Sequence, residues 1–196
     1  GFIPVANIRA SAGGDASRGG RPAATMTLHE AVRGLSVVPL GSRDVDDIAR
    51  IHGACFDEVW NARILTRILG MSGSFALGVR QDGGVQFDDV TEGLAGFAIG
   101  RVTADECELL SLGVAPPSRG MGLGAMMLDA ALARAGSVNV RKFILEVAEN
   151  NVQALNLYKA RGLAQVGRRP NYYENMDGSF TDALTMRVDL KFVMPS

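Results

Sequence analysis

The sequence is poor in the residues from which metal centres and disulfide scaffolds are built. Its 196 residues include two cysteines and two histidines. Cys55 and Cys107 lack metal-ligand spacing, and His29 and His52 add too few ligands for a zinc site. Two thiols outside any such framework are typical of a reducing compartment, so we expect a cytoplasmic protein without a bound metal.

Long apolar runs and net charge are also scarce. No stretch reaches the roughly 18 consecutive apolar residues that a membrane-spanning helix needs. The formal net charge is −1, which gives no overall attraction to nucleic acid or to an anionic membrane. With 47% hydrophobic and 21% charged residues, the composition is typical of a soluble globular protein. We therefore expect neither nucleic acid nor membrane among the partners.

The first 25 residues differ from the rest of the chain. They are rich in glycine, serine and arginine and follow neither a helical nor a strand period. Such a composition favours flexible chain. We expect residues 1–25 to be a tail or an expression remnant, and residues 26–196 to form a single domain.

The apolar pattern of the remainder predicts the order β-α-α-β-β-β-α-β-α-β-β, from Leu35–Leu40 to Ala183–Leu190. The glycine loop Arg119–Gly124 should open a long helix over Ala125–Ala135. Leu163–Arg168 should form a strand, followed by a loop rich in Pro, Asn and Gly. The order implies an α/β fold with a mixed, mainly antiparallel sheet of about seven strands, flanked by about four helices.

The glycine loop between a strand and a helix favours a ligand that carries a diphosphate. The first N–H groups of a helix have no internal partner and lie at the positive end of the helix dipole. Glycines lack the Cβ atoms that would keep a phosphate from those donors.

Several motifs could explain this loop. A Walker loop would end in Gly-Lys-Ser/Thr, whereas Gly124 is followed by Ala-Met, which excludes it. Gly120, Gly122 and Ala125 fit the Rossmann pattern G-x-G-x-x-G/A. However, Ala115–Ser118 separates them from the strand, and too little chain follows for a second half-domain. A plain glycine-rich turn into a helix remains a further interpretation.

The loop resembles the pyrophosphate loop of the GNAT superfamily of acetyltransferases. Arg119, Gly122 and Gly124 match that superfamily's pattern Q/R-x-x-G-x-G/A. Downstream, the segment from Leu145 through Asn151 to Leu163 resembles its second signature, L-x-V-x-x-x-N-x-x-A-x-x-L-Y-x-x-x-G-F, with Leu in place of the final Phe. The resemblance covers roughly residues 35–190.

Within the superfamily, the chain resembles most the bacterial ribosomal-protein alanine N-acetyltransferases, the RimI type. Glu108–Val114 is similar to their E-L-L-x-I-x-V strand, and Asn171–Tyr173 with Asp182-Ala183 to their N-Y-Y…D-A closure. Two departures border the acceptor groove of that family. Pro170 precedes Asn171–Tyr173, and Val59–Asn61 stands where Pro-Trp-Ser is usual.

The resemblance implies an enzyme that uses acetyl-CoA as acetyl donor and transfers the acetyl group directly to an amine in a ternary complex. It implies contacts with acetyl-CoA along a strand end, the glycine loop and one asparagine. These residues are Leu112, Gly113, Val114, Arg119, Gly120, Met121, Gly122, Leu123, Gly124, Ala125 and Asn151. Asn151 is also a natural N-cap for the helix that follows it, which would by itself explain an asparagine there.

Two residues match the superfamily's catalytic groups. Glu146 matches the general base, acting directly or through water, and its alternative is a solvated carboxylate at a sheet edge. Tyr158 matches the general acid for the departing thiolate, and its alternative is an aromatic side chain that covers the core. A covalent acetyl-cysteine on Cys55, with His52 as its partner, is a further option, although a buried structural pair fits the helical spacing better.

The expected acceptor is the N-terminus of a protein or peptide, for which a ribosomal protein N-terminal alanine is the candidate. Trp60, Tyr172 and Tyr173 lie in the segments that border the acceptor groove in the family. Two alternatives remain open: a GNAT enzyme that acetylates a small amine, an antibiotic or a lysine side chain, and a non-catalytic module that binds acetyl-CoA.

Overall fold

The computed structural model describes residues 35–81, 93–175 and 177–190 of the chain. The predicted tail, residues 1–25, lies outside these residues. Seven strands form one sheet. They are β1 (Leu35–Leu40), β2 (Ser74–Gln81), β3 (Leu94–Thr103), β4 (Glu106–Val114), β5 (Lys142–Ala148), β6 (Ala164–Glu174) and β7 (Phe180–Asp189).

The sheet has the strand order β1-β2-β3-β4-β5-β7-β6. Every neighbouring pair is antiparallel except β4 and β5, which run parallel. The parallel pairing joins only Glu106–Leu109 to Lys142–Leu145. Because β4 continues to Val114 without β5 as a neighbour, the two strands diverge there and split the sheet at one end.

Four α-helices cover the two faces of the sheet. They are α1 (Val45–Cys55), α2 (Ala62–Leu69), α3 (Leu123–Gly136) and α4 (Val152–Ala160). The side chains of α1 and α2 form one apolar cluster with one face, and those of α3 and α4 form a second cluster with the other. The predicted mixed sheet with flanking helices is confirmed. Within the described segments, no helix is long and apolar enough to cross a membrane.

Strand β3 shows how the sequence pattern follows from these two layers. Side chains alternate between the faces of a strand. Phe97 and Ile99 pack in the α1–α2 cluster, whereas Ala98 between them packs in the α3–α4 cluster. A strand buried on both faces is apolar at nearly every position, which explains the continuous apolar run at its start.

Three predicted boundaries are wrong. Helix α3 begins at Leu123, two residues before Ala125. The left-handed residue Gly122 is its N-cap, whereas Gly124 already lies inside the helix. Strand β6 continues past Arg168 to Glu174, and β7 already begins at Phe180. These two strands pair with each other, and their cross-strand hydrogen bonds outweigh the local turn propensity of Pro170 and its neighbours.

Candidate active site

A cavity of about 320 Å³ lies between the free end of β4, the glycine loop and helix α4. Its position follows from the split in the sheet, since the ladder between β4 and β5 stops at Leu109 and Leu145. Ten residues predicted to bind acetyl-CoA or to catalyse line it: Leu112, Gly113, Val114, Arg119, Gly120, Gly122, Leu123, Gly124, Ala125 and Tyr158. The structure thus brings most of the predicted donor site together around one cavity.

The glycine loop adopts the conformation that its glycines permit. Gly120 and Gly122 have φ angles of 78° and 79°, in the left-handed region that side chains with a Cβ rarely adopt. A Cβ added at either residue would have no heavy atom within 4 Å. The glycines are therefore required by backbone conformation, and the space in front of their backbone is open. Because α3 starts directly behind Gly122, its unpaired N–H groups lie at the cavity and suit a diphosphate.

Arg119 ties the loop to the strand. Its Nε donates to the carbonyl oxygen of Val114 at 3.3 Å, and its Nη2 lies 3.7 Å from Sγ of Cys55. The Cys55 thiol donates to the same carbonyl oxygen at 3.2 Å. The side chain of Arg119 therefore stabilises the entry to the loop.

Cys55 lacks the surroundings of a reactive thiol. Burial raises its pKa, which the nearby Arg119 only partly offsets. His52 Nδ1 accepts a hydrogen bond from the backbone N–H of Trp60 at 3.2 Å, and burial lowers the pKa of His52 to about 4. The two side chains are buried structural residues, as the helical spacing favoured. In the part of the chain that the structure describes, no group of three potential metal ligands occurs.

Glu146 occupies a buried position in the middle of the sheet. It lies on β5, which has β4 on one side and β7 on the other, and only 3% of the residue is exposed. The alternative of a solvated carboxylate at a sheet edge is therefore wrong. Nη1 of Arg169 donates to both carboxylate oxygens at 3.2 Å. The neighbours Leu145 and Val147 pack in the α3–α4 cluster, so Glu146 lies on the opposite face.

Tyr158 lies on the other side of the split. It belongs to α4, packs in the α3–α4 cluster and lines the cavity, with 3% of the residue exposed. Burial raises the pKa of its phenol well above the usual value of 10. The phenol is therefore fully protonated at neutral pH, but it is a weaker acid than an exposed tyrosine.

Asn151 caps helix α4. Its side-chain oxygen accepts a hydrogen bond from the backbone N–H of Ala154 at 3.1 Å. Neither Asn151 nor Met121 is among the residues that line the cavity. The capping role suggested by the sequence is thus confirmed, whereas a contact of Asn151 with acetyl-CoA stays a prediction.

The three predicted acceptor residues lie in different surroundings. Trp60 is 2% exposed and stacks on His52 with ring centroids 4.8 Å apart, so its ring packs in the core on helix α1. A contact of Trp60 with an acceptor stays a prediction. Tyr172 and Tyr173 form an edge-to-face pair with centroids 5.1 Å apart, next to Arg169.

Sequence reasoning missed several residues of the site. Gln153, Leu157, Ser118 and Phe56 line the cavity. Glu108 was noticed only as part of a strand motif. Its Cα partner on β5 is Ile144, and side chains two residues apart share a face, so Glu108 and Glu146 lie on the same face of the sheet. This alternation was present in the sequence, but the pairing of β4 with β5 was needed to use it.

The charges around Glu146 are mostly negative. Burial, followed by the nearby Glu146 carboxylate, raises the pKa of Glu108 to about 7. Glu146 and Glu58 both contribute to raising the pKa values of Tyr172 and Tyr173, for which burial is the main cause. Three carboxylates therefore influence this region, which favours a cationic ligand such as a protonated amine.

The chain belongs to the acetyltransferase (GNAT) family, whose pattern matches residues 45–163. The predicted resemblance is confirmed, and acetyl-CoA is the cosubstrate of this family. The cavity, with its glycine loop at a helix N-terminus, fits such a ligand.

Individual relatives refine this comparison. The chain is 33% identical over 97 residues to the [ribosomal protein bS18]-alanine N-acetyltransferase of Escherichia coli, which covers 50% of this chain and 65% of that enzyme. It is 32% identical over 160 residues to the N-alpha-acetyltransferase RimI of Mycobacterium tuberculosis, covering 79% of this chain and 92% of that protein. The chain spans 65% of the length of the Escherichia coli enzyme and 38% of the length of another relative, an uncharacterized protein of Mycobacterium leprae.

The fold also matches a solved structure. The crystal structure of the ribosomal-protein-S18-alanine N-acetyltransferase from Escherichia coli superposes with a TM-score of 0.72 and 24% identity. The match covers 82% of this chain and 96% of that one. At this identity the comparison establishes the shared GNAT fold.

Proposed function

We propose that this protein is an acetyl-CoA-dependent N-acetyltransferase that modifies the α-amino group of a protein or peptide N-terminus. The proposal rests mainly on the split between β4 and β5. Glu146 lies on one face of the sheet at this split, and Tyr158 lines the donor cavity on the other face. A base on one side of the split and a proton donor on the other suit the transfer of a group between two bound substrates.

On the donor side, acetyl-CoA supplies the acetyl group as an activated thioester. The backbone N–H groups at Gly122–Ala125 would hold its diphosphate. The backbone of Leu112–Val114, beyond the end of the β4–β5 ladder, would hold the pantetheine arm and polarise the acetyl carbonyl. Tyr158 would provide a proton to the thiolate that leaves.

On the acceptor side, Glu146 would take a proton from the bound α-ammonium, directly or through a water molecule. The neutral nitrogen then attacks the acetyl carbonyl carbon, and the carbon–sulfur bond breaks. An α-amino group has a pKa of about 7.7–8.0, against about 10.4 for lysine, so it needs less help to lose its proton. A single carboxylate is therefore better suited as the base for an α-amino group than for a lysine side chain.

The choice of a protein N-terminus is supported by the names of the relatives and by the rim of the site. The Escherichia coli relative is named as a ribosomal-protein alanine N-acetyltransferase, and the Mycobacterium tuberculosis relative as an N-alpha-acetyltransferase. Beside Glu146, Tyr172 and Tyr173 form an aromatic wall suited to the first residues of a peptide. A ribosomal-protein N-terminal alanine is the first acceptor to test.

Thiol release from acetyl-CoA with a panel of acceptors tests this function. The panel contains an Ala-starting peptide, the same peptide with its α-amine already acetylated, spermidine and free lysine. We expect turnover with the free Ala-starting peptide and none with its blocked counterpart. Turnover on small amines alone, or acetyl-CoA binding without any turnover, would contradict the proposal.

Two substitutions test the assigned roles. Glu146→Gln should lower the rate chiefly at low pH, where the acceptor is protonated, while the Kd for acetyl-CoA stays unchanged. Tyr158→Phe should lower kcat at every pH and leave the same Kd unchanged. An unaltered pH profile for Glu146→Gln would refute its assignment as base.

A further inference from the structure

We propose that Arg169 is a positioning residue, which holds the Glu146 carboxylate in a fixed orientation in the free protein and yields this contact to the acceptor α-ammonium when a peptide binds. The inference rests on the proposed function, in which Glu146 is the base. It concerns a residue that no sequence motif of the chain indicates.

The first argument is electrostatic. A carboxylate that is 3% exposed needs a charged or hydrogen-bonding partner to remain ionised. Glu108, on the same face of the neighbouring strand, is a second acidic side chain and offers no opposite charge. The guanidinium of Arg169 provides the opposing charge, with 3.2 Å between Nη1 and each carboxylate oxygen.

The second argument is how Arg169 reaches this position. Between the pairs Arg169–Ala183 and Tyr173–Thr181, three residues of β6 face one residue of β7. This bulge contains Pro170, which has no N–H to pair, and Asn171, whose φ angle is 52°. It carries the chain out of the ladder immediately after Arg169.

The bulge is fixed by its partner strand. The Asp182 carboxylate accepts a hydrogen bond from the backbone N–H of Asn171 at 2.9 Å and a second from Arg168. Tyr172, at the end of the bulge, lies under the Arg169 guanidinium, with 4.1 Å between Cζ and the ring centroid. Such a cation–π contact orients the guanidinium toward Glu146.

The third argument is that this contact can be exchanged. The Arg169 side chain is 45% exposed, and it reaches Glu146 through a single nitrogen atom. An α-ammonium is also a compact cationic donor, and it can replace that nitrogen at the carboxylate. The replaced guanidinium retains its stacking on Tyr172 and its access to water.

Several titratable groups surround Glu146. They are Glu108 on β4, Arg169, Tyr172 and Tyr173 on β6, and Glu58 in the segment between α1 and α2. Since the carboxylates and tyrosines are neutral or negative, loss of Arg169 leaves Glu146 without its bonded cation.

The test compares Arg169→Gln and Arg169→Lys with the unsubstituted protein in a pH profile of kcat/KM for the Ala-starting peptide. In Arg169→Gln, the acid limb should move to higher pH by about one unit or more, so that the rate on this limb falls about 10-fold while the rate near pH 9 changes little. Arg169→Lys should retain most of the original profile. Arg50→Gln is the matched control, because the Arg50 side chain is 43% exposed, close to the 45% of Arg169, and pairs with Asp47 on α1.

A uniform fall in rate without movement of the limb would overturn the proposal, since it would indicate only a structural role. A second measurement is independent of turnover: NMR titration of ¹³C-labelled glutamate carboxyls, with Glu146→Gln to assign the signal. The Glu146 signal should titrate at higher pH in Arg169→Gln than in Arg50→Gln. Equal titration would refute the positioning role, even if no peptide were acetylated and the proposed function itself failed.

Discussion

Acidification from pH 7 to pH 5 should weaken the fold at His52. The imidazole is fully buried beside Phe56, Trp60 and Phe97, and its Nδ1 accepts the Trp60 N–H, which leaves the proton on Nε2. A second proton on Nδ1 would bring its N–H against the Trp60 N–H, so that two donors would face each other in an apolar cluster. Burial accordingly lowers the pKa of His52 to about 4, from an ordinary value of 6.5.

The sign and size of the effect follow from linkage. Because the unfolded chain binds the proton more tightly, His52 contributes full stability above pH 6.5 and loses it as the pH falls toward 4. Between pH 7 and pH 5 the loss is about 2 kcal/mol. This is a large part of the roughly 5–15 kcal/mol that stabilises an ordinary domain.

Glu108 opposes this effect in the same pH range. Burial raises the pKa of its carboxyl from the ordinary value of 4.5 to about 7. Between these two pH values the folded state therefore holds a proton that the unfolded state has released. Its contribution is therefore present below pH 4.5 and is lost as the pH rises through 7. It amounts to about 2 kcal/mol over the range from pH 5 to pH 7, and less to the extent that water screens this half-buried side chain.

Urea denaturation at pH 5 and pH 7 separates the two contributions. The free energy of unfolding of the unsubstituted protein should change little between these pH values. His52→Gln can still accept the Trp60 N–H. For this variant, the free energy of unfolding at pH 5 minus that at pH 7 should exceed the same difference for the unsubstituted protein by about 2 kcal/mol. Glu108→Gln should shift that difference in the opposite direction. A pH dependence of His52→Gln equal to that of the unsubstituted protein would refute the reasoning.

Two further substitutions test the glycine loop and a helix start. Gly122→Ala should cost about 1–2 kcal/mol from its left-handed backbone and weaken acetyl-CoA binding in calorimetry. Gly178→Ala, with the same φ angle of 79° at the β6–β7 turn, should carry the strain without the loss of binding; equal binding losses would contradict the assignment. Asn61→Ala should cost about 1 kcal/mol in denaturation, because its side chain accepts the Ile64 N–H at 3.0 Å, and Asn61→Ser should recover most of it. A neutral Asn61→Ala would argue against this cap.

The donor half of the site could be predicted because its signals are local. Glycines with positive φ, a helix start and an N-cap asparagine are determined by residues a few positions apart, and the structure has Gly120, Gly122 and Asn151 in these roles. Strand alternation is equally local, and it is the reason that Glu146 faces away from Leu145 and Val147.

The acceptor half depends on contacts between distant segments. The partnership of Arg169 with Glu146 requires the register of three strands and a bulge whose length no local pattern encodes. Trp60 shows the same limit, since its family position suggested a groove but its ring packs on His52. Side-chain burial at these points depends on tertiary packing and could not be derived from periodicity.

The most direct test of the proposed function is to locate the acetyl group by mass spectrometry. An Ala-starting peptide that also contains one internal lysine is incubated with acetyl-CoA and the protein, and the product is fragmented. We predict a single acetyl group on the α-nitrogen of the first residue. Acetylation of the lysine side chain alone, or an unmodified peptide although acetyl-CoA binds, would contradict N-terminal acetylation as the function.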